Sequence, residues 1–389
     1  MRFPAVVLFC LMMSVLTGTV QAARFNIEDY GATAGDQTDD TAAISKALQA
    51  CGAAGGGTVH VPAGVWLVSR QGSESPILEL PSNTTLSGEG TASILKFDPA
   101  VNQTNFWRML GNGADGCRNV VVRDLHLDGS NTFRSYEPGK TPEHNHGIFL
   151  HSEKGVIENI TIRDCLIENF SGDGVGLSLG CRHITVRDVA LRNFVRQGIQ
   201  MAGGNGARDY LVTGCQDLAG EVQPGGSTIH VEHARGLKNV IISGNRCRHS
   251  ILAGGVDGIT IQDNVINGRL VGNGNSNFLV QGNVIRGHDA AGFVVQLGFA
   301  DGLILKDNIV SSSHAEAGGL YVWGTSRYNP APSRDVLISG NLVRVGGRGI
   351  LLNGVDGGRV HDNRIRTGDM QQQVVLQRTE DVETDAAAE

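Results

Sequence analysis

The phrase Asn159-Ile-Thr-Ile-Arg-Asp164 returns along the chain as His183-Ile-Thr-Val-Arg-Asp188, Asn239-Val-Ile-Ile-Ser-Gly244, Gly258-Ile-Thr-Ile-Gln-Asp263, Gly302-Leu-Ile-Leu-Lys-Asp307 and Asp335-Val-Leu-Ile-Ser-Gly340. Each copy alternates apolar and polar residues with period two, the pattern of a half-buried strand. A Gly-led strand follows most copies, as in Gly147-Ile-Phe-Leu150, Gly174-Val-Gly-Leu177, Gly198-Ile-Gln-Met201 and Gly319-Leu-Tyr-Val322. Short strands recurring every ~20 to 30 residues describe a solenoid of β coils stacked on one another. The chain is therefore expected to be all-β, a single-stranded parallel β-helix.

Working outward, Asn245, Asn264, Asn283, Asn308, Asn341 and Asn363 each follow a Gly or Asp at the same point of the repeat. Asn tolerates the left-handed conformation of a tight turn, and its amide can bond to the next coil. The 54 glycines among 389 residues, twice the usual ~7%, supply the remaining turns. Towards the N-terminus, Thr38-Asp-Asp-Thr-Ala-Ala-Ile44 reads as the start of a short helix with Asp39 or Asp40 at its entry. Such a helix would cap the open end of the solenoid, which otherwise exposes unpaired strand edges.

The segment Met1 to Ala22 has an early Arg, an apolar run from Val6 to Leu16 and small residues before Ala23, the pattern of a secretory signal peptide. The expected organisation is thus residues 1–22 as signal, 23–369 as one β-helical domain and 370–389 as an acidic, disordered tail. No apolar run reaches the ~20 residues of a membrane span, and a net charge of −7 without a basic cluster argues against nucleic acid. Six of the seven cysteines lie beyond the signal. Cys165 and Cys215, like Cys117 and Cys181, fall in shared columns two coils apart, too far for a disulfide, so most are expected to be buried thiols.

The opening Asp29-Tyr-Gly-Ala32, Thr38-Asp-Asp-Thr-Ala-Ala-Ile44 and Gly56-Gly-Thr-Val-His-Val-Pro-Ala-Gly64 resemble the N-terminal signature of the pectate-lyase superfamily of right-handed parallel β-helices. The coil repeats extend the resemblance to about Asp369. It implies a right-handed helix and a polysaccharide substrate bound along one flank. It does not choose among lyases, polygalacturonase-like hydrolases, mannuronan epimerases and tailspike depolymerases, because one fold hosts many reactions.

Alternation on the Gly-led strands sends Ile148, Val175, Ile199 and Ile229 inward, so that Phe149, Gly176, Gln200 and His230 face out, followed by His151, Ser178, Ala202 and Glu232. Asp173, Glu232 and Arg196 are the candidate catalytic residues. His144, His146, Gln197, Gln200 and His230 are candidate substrate ligands beside them. Two carboxylates suit glycoside hydrolysis, one as acid and one as base or nucleophile. Glu232, at a strand centre where Glu is disfavoured, is the stronger of the pair. Further along, Tyr321 and Trp323 are expected to stack on sugar rings, beside a loop carrying Arg327 and Tyr328.

The resemblance refines these roles. Asp173 fits one aspartate of the polygalacturonase-like members, but Arg196-Gln-Gly198 stands where Gly-His-Gly is expected, and Gly176-Leu-Ser178 stands where epimerases have Asp-Pro-His. These departures weigh against galacturonan hydrolysis and against epimerisation. The sequence reading is an exported enzyme cleaving an extracellular or envelope polysaccharide, hydrolytically by preference. β-Elimination on a uronate polymer and non-catalytic glycan binding are the alternatives, and no metal or other cofactor is implied.

Overall fold

The computed structural model describes residues 23–385, except 73, 99, 101–105, 133, 134, 138, 142, 223, 224, 235, 288–290, 326–330 and 369–371. The expected leader, and Arg327 and Tyr328, lie outside the described residues. Among the described residues the strands form three parallel sheets of 14, 12 and 12 strands, each stacked in chain order. One coil visits the three sheets in turn, as in Val156–Arg163, Leu166–Glu168 and Val175–Leu177, and the next coil repeats the circuit. The fold is the expected right-handed parallel β-helix.

The strands that carry the repeated phrase stack in one-to-one register. Ile160, Ile184, Tyr210, Val240, Ile259, Phe278, Leu303 and Val336 succeed one another on the inner face and are all buried. Each buried aliphatic side chain contributes about 1.5–3 kcal/mol. A one-residue slip would turn the whole stack outward, so the alternation itself enforces the register.

The asparagine column forms as a buried ladder, but not for both of the reasons read from sequence. The left-handed residues are the Gly or Asp before each Asn: Gly244, Asp263, Gly282, Asp307, Gly340 and Asp362, with φ of 56–68°. The Asn side chains carry only the ladder. Asn245 Nδ2 donates to Asn264 Oδ1, Asn264 to Asn283, Asn283 to Asn308, Asn308 to Asn341 and Asn341 to Asn363, all at 2.9–3.0 Å.

The N-terminal helix spans Thr41–Ala53 and buries Ile44, Ala47, Leu48 and Cys51 against the first coils. The cap bond comes from Asp39, whose Oδ1 accepts from Thr41 N at 2.9 Å, while Asp40 accepts from Thr33 N. The expected disordered tail is corrected at its centre: Val374–Gln377 pairs with Ile350–Asn353, and Glu380–Thr384 pairs with Val355–His361. Its polar, acidic composition hides a strand that needs only backbone pairing and one inward residue, Val382. The six cysteines of the described chain are buried free thiols. Burial pushes Cys117, Cys165, Cys181 and Cys215 up to about 12, so they are inert.

Candidate active site

The site lies on the sheet that contains Asn145–Leu150, Val175–Leu177, Ile199–Met201 and Ile229–Val231. The register there matches the sequence reading residue for residue: Ile148 with Val175, Ile199 and Ile229 inside, and Phe149 with Gly176, Gln200 and His230 outside. One strand earlier, Trp107–Gly111 places Arg108 beside His146.

Arg196 organises the polar cluster. Its Nη1 donates to both oxygens of Asp173, at 2.8 and 3.1 Å, and its Nη2 donates to Glu232 Oε1 at 2.6 Å. A third carboxylate, Glu143, lies 3.9 Å from Nε and is itself held by the Tyr136 hydroxyl at 2.7 Å. Burial opposes the charge of Arg196, but Asp173 and Glu232 outweigh it and raise its pKa. Asp173 has no exposed surface. It sits beneath the guanidinium and cannot touch a substrate, whereas Glu232 is partly open. The expected pair of carboxylates flanking a scissile bond is therefore replaced by one buried carboxylate, one surface carboxylate and the cation between them.

The histidines divide by their hydrogen bonds. His146 is 1% exposed, and its Nδ1 accepts the backbone N–H of Asp173 at 2.9 Å. Burial lowers its pKa against the pull of the Asp173 carboxylate, so the ring is neutral with its proton on Nε2. His230 Nδ1 lies 2.7 Å from Gln197 Nε2. An amide nitrogen can only donate, so His230 also carries its proton on Nε2 when neutral. Burial lowers the pKa of His230 as well.

His151 differs. Its Nδ1 lies 3.2 Å from the Ser178 hydroxyl, which can accept a proton from Nδ1 and leave Nε2 as a free lone pair. Burial, then the charge of Arg108, lowers its pKa. Sequence alternation placed His151 on the outer face without giving it a role.

A cleft of about 600 Å³ opens over these groups, lined by Arg108, His144, His146, Phe149, His151, Arg196, Gln200 and Glu232 among others. Gln200 is buried in its floor with Oε1 unpaired. The cleft thus brings together His144, His146, Arg196, Gln200 and Glu232 of the predicted residues, while Gln197 and His230 bond to each other beside it. Asp173 lies beneath it, and Tyr321 and Trp323 lie on the same sheet four coils away.

Arg108 was not legible in sequence, because the strand Trp107–Gly111 reads as plain core. Trp107 is indeed buried and stacked on Phe97. The Arg108 guanidinium lies 5.2 and 5.6 Å from the rings of Phe149 and Phe106. Its Nε is buried without a hydrogen-bond partner, and among the described residues no carboxylate pairs with it. Burial lowers its pKa. A second cleft of about 580 Å³ on another sheet contrasts with this: its charges are matched in Lys96–Asp128 and Arg192–Glu168 pairs.

Residues 24–109 match the family model described as rhamnogalacturonase A/epimerase, pectate lyase-like. The chain is 33% identical over 154 residues to the mannuronan C5-epimerase AlgE5 of Azotobacter vinelandii, which is 39% of this chain and 15% of that protein. It is 28% identical over 175 residues to alginate lyase 7 of the same organism, 39% of this chain and 20% of the other. The matches therefore span less than a quarter of either relative. Among solved structures, the A-module of the A. vinelandii mannuronan C-5 epimerase AlgE4 superposes with a TM-score of 0.62 at 19% identity, covering 94% of this chain and 100% of the module. Coil architecture and structural likeness converge on the fold: the chain is a right-handed parallel β-helix, similar over its N-terminal residues 24–109 to the pectate lyase-like family model.

Proposed function

We propose that this protein is an exported polysaccharide lyase that cleaves a uronate polymer by β-elimination in the cleft above Arg196. The observation that carries the reading is the guanidinium of Arg108, which among the described residues is paired with no carboxylate and keeps a buried Nε without a hydrogen-bond partner, in the same cleft as His151, whose Nδ1 is the ring nitrogen turned to Ser178. In elimination the substrate carboxylate must be neutralised so that the neighbouring C5 proton can leave. Arg108 supplies that charge from a desolvated position, where an ion pair counts for more than in water.

His151 Nε2 then takes the proton as general base. The electron pair left at C5 forms the C4=C5 double bond, the C4–O4 bond breaks, and the leaving oxygen is protonated from solvent. Gln200 offers its unpaired carbonyl to a sugar hydroxyl. Glu232, with Arg196, shapes the far wall. Hydrolysis, the route favoured by the sequence, asks for a protonated carboxylic acid at the scissile bond. Here Asp173 is out of reach beneath Arg196, and the oxygen of Glu232 nearest the cleft cation is held by the Arg196 guanidinium.

The relatives support the same chemistry. Inverting C5 of a mannuronan residue and eliminating from alginate both require the C5 proton to leave. The N-terminal segment supports action outside the cytoplasm.

The test is incubation of the purified protein with polymannuronate, polygalacturonate and neutral glucans, followed by product mass and ultraviolet absorbance. Elimination yields unsaturated, absorbing ends with no gain of water. A gain of one water per cut, without absorbance, would replace this reading by hydrolysis, and binding without any product would leave a glycan-binding solenoid.

A further inference from the structure

The cleft continues along its sheet in one-to-one register. From Glu232 the outward column runs through Gly254, Asn273 and Gly298 to Trp323. The neighbouring column runs from His230 through Leu252, Val271 and Gln296 to Tyr321 by the same pairings. Four coils separate Glu232 from Trp323, about 19 Å at the spacing of paired strands. The column between them holds two glycines and one asparagine, so within that column no large side chain interrupts the path.

At the far end lies an aromatic surface with an unusual posture. A Cβ placed on Gly298 would stand 1.3 Å from Trp323 Cζ3, and one on Gly318 would stand 2.4 Å from the Phe293 ring. Both rings therefore lie over glycines of neighbouring coils. Tyr321 sits between them, with ring centroids 4.9 Å from Phe293 and 6.0 Å from Trp323. All three side chains retain exposed surface. A ring laid over the sheet turns a face to solvent, and such a face suits the apolar C–H face of a pyranose.

We infer that Phe293, Tyr321 and Trp323 form a distal sugar-stacking subsite, which holds a polysaccharide chain lying along the helix axis while a uronate several residues away occupies the cleft. The inference rests on the reading of the cleft as a polysaccharide site, but not on the reaction performed there. The platform rewards long chains: an oligomer too short to reach four coils from Glu232 gains nothing from it.

The test is gel affinity electrophoresis of the full chain in polymannuronate and in polygalacturonate, with competition by the corresponding trimers. Three proteins are compared: the parent, Trp323→Ala, and Gly298→Ala, which keeps the indole but forces it off the sheet. On the polymer that retards the parent, both variants are expected to lose affinity about tenfold more than they lose for the trimer, the effect of one stacked ring. Equal losses on polymer and trimer overturn the inference. So does an unchanged polymer affinity accompanied by a lowered melting temperature, which would make the rings packing residues. A parent that binds and shows the length effect but yields no product would sink the lyase reading and leave the platform standing. A parent retarded by neither polymer overturns both.

Discussion

Arg196 Nη1 lies 2.8 Å from Asp173 Oδ2, a carboxylate with no exposed surface. Removing the guanidinium strands that carboxylate, and removal of one partner of a buried pair costs about 3–5 kcal/mol. Arg196→Ala is thus expected to lower stability by that amount in urea unfolding. Asp173→Asn should cost less, because Arg196 keeps Glu232. A larger loss for Asp173→Asn than for Arg196→Ala would contradict this arrangement.

His146 gives stability a pH dependence of known sign. Burial lowers its pKa in the folded protein below the unfolded value of about 6.5, so between the two values the unfolded chain binds more protons. The contribution is complete above about pH 6.5 and is lost as pH falls towards and through the folded-state value. Melting temperature should therefore fall from pH 7.5 to pH 5. His146→Gln, which cannot titrate, should flatten part of that slope while lowering the melting temperature at pH 7.5. An identical slope in the variant would remove His146 as its source.

His151 is expected to set the acid limb of activity. Since its pKa is lowered, the limb of kcat/KM should fall below pH 6.5. His151→Ala should reduce turnover at least ~100-fold, and Ser178→Ala less, since it frees the tautomer without removing the base. Glu232→Gln separates the two routes: elimination gives it no proton to carry, so turnover stays within about tenfold, whereas hydrolysis through Glu232 would lose ~100-fold or more.

The ladder has its own cost of interruption. Asn283 Nδ2 donates to Asn308 Oδ1, and its Oδ1 accepts from the Asn264 backbone and side chain. Asn283→Ala leaves the buried N–H of Asn264 unpaired, at a penalty of about 1–3 kcal/mol for each orphaned group. Chemical denaturation should show a loss of at least that size, and a neutral variant would mean that the ladder is ornament to the packing.

Much of this molecule is written locally. The inward column through Ile148, Val175, Ile199 and Ile229 follows from period-two alternation, and with it the outward positions of Gln200, His230 and Glu232. What alternation does not carry is depth and direction. Asp173 and Gln197 precede their strands, and only the packed coils show that one is buried under Arg196 while the other bonds to His230. Arg108 stayed silent because its recognition depends on the rings of Phe106 and Phe149 and on the lack, among the described residues, of a carboxylate ion-paired with it, facts of the third dimension. The last strands stayed silent because Glu380–Thr384 offers one inward valine instead of a repeated pattern.

The asparagine ladder also sets a unit of change. Asn245, Asn264 and Asn283 succeed one another at intervals of 19 residues, and these coils lie between Glu232 and Trp323. Adding or deleting one such turn would leave every side chain on its original face and the core stack unbroken. It would slide the aromatic platform by about 4.8 Å relative to the cleft. The fold is in this sense a ruler graduated in coils, on which the distance between grip and cut can be reset one notch at a time.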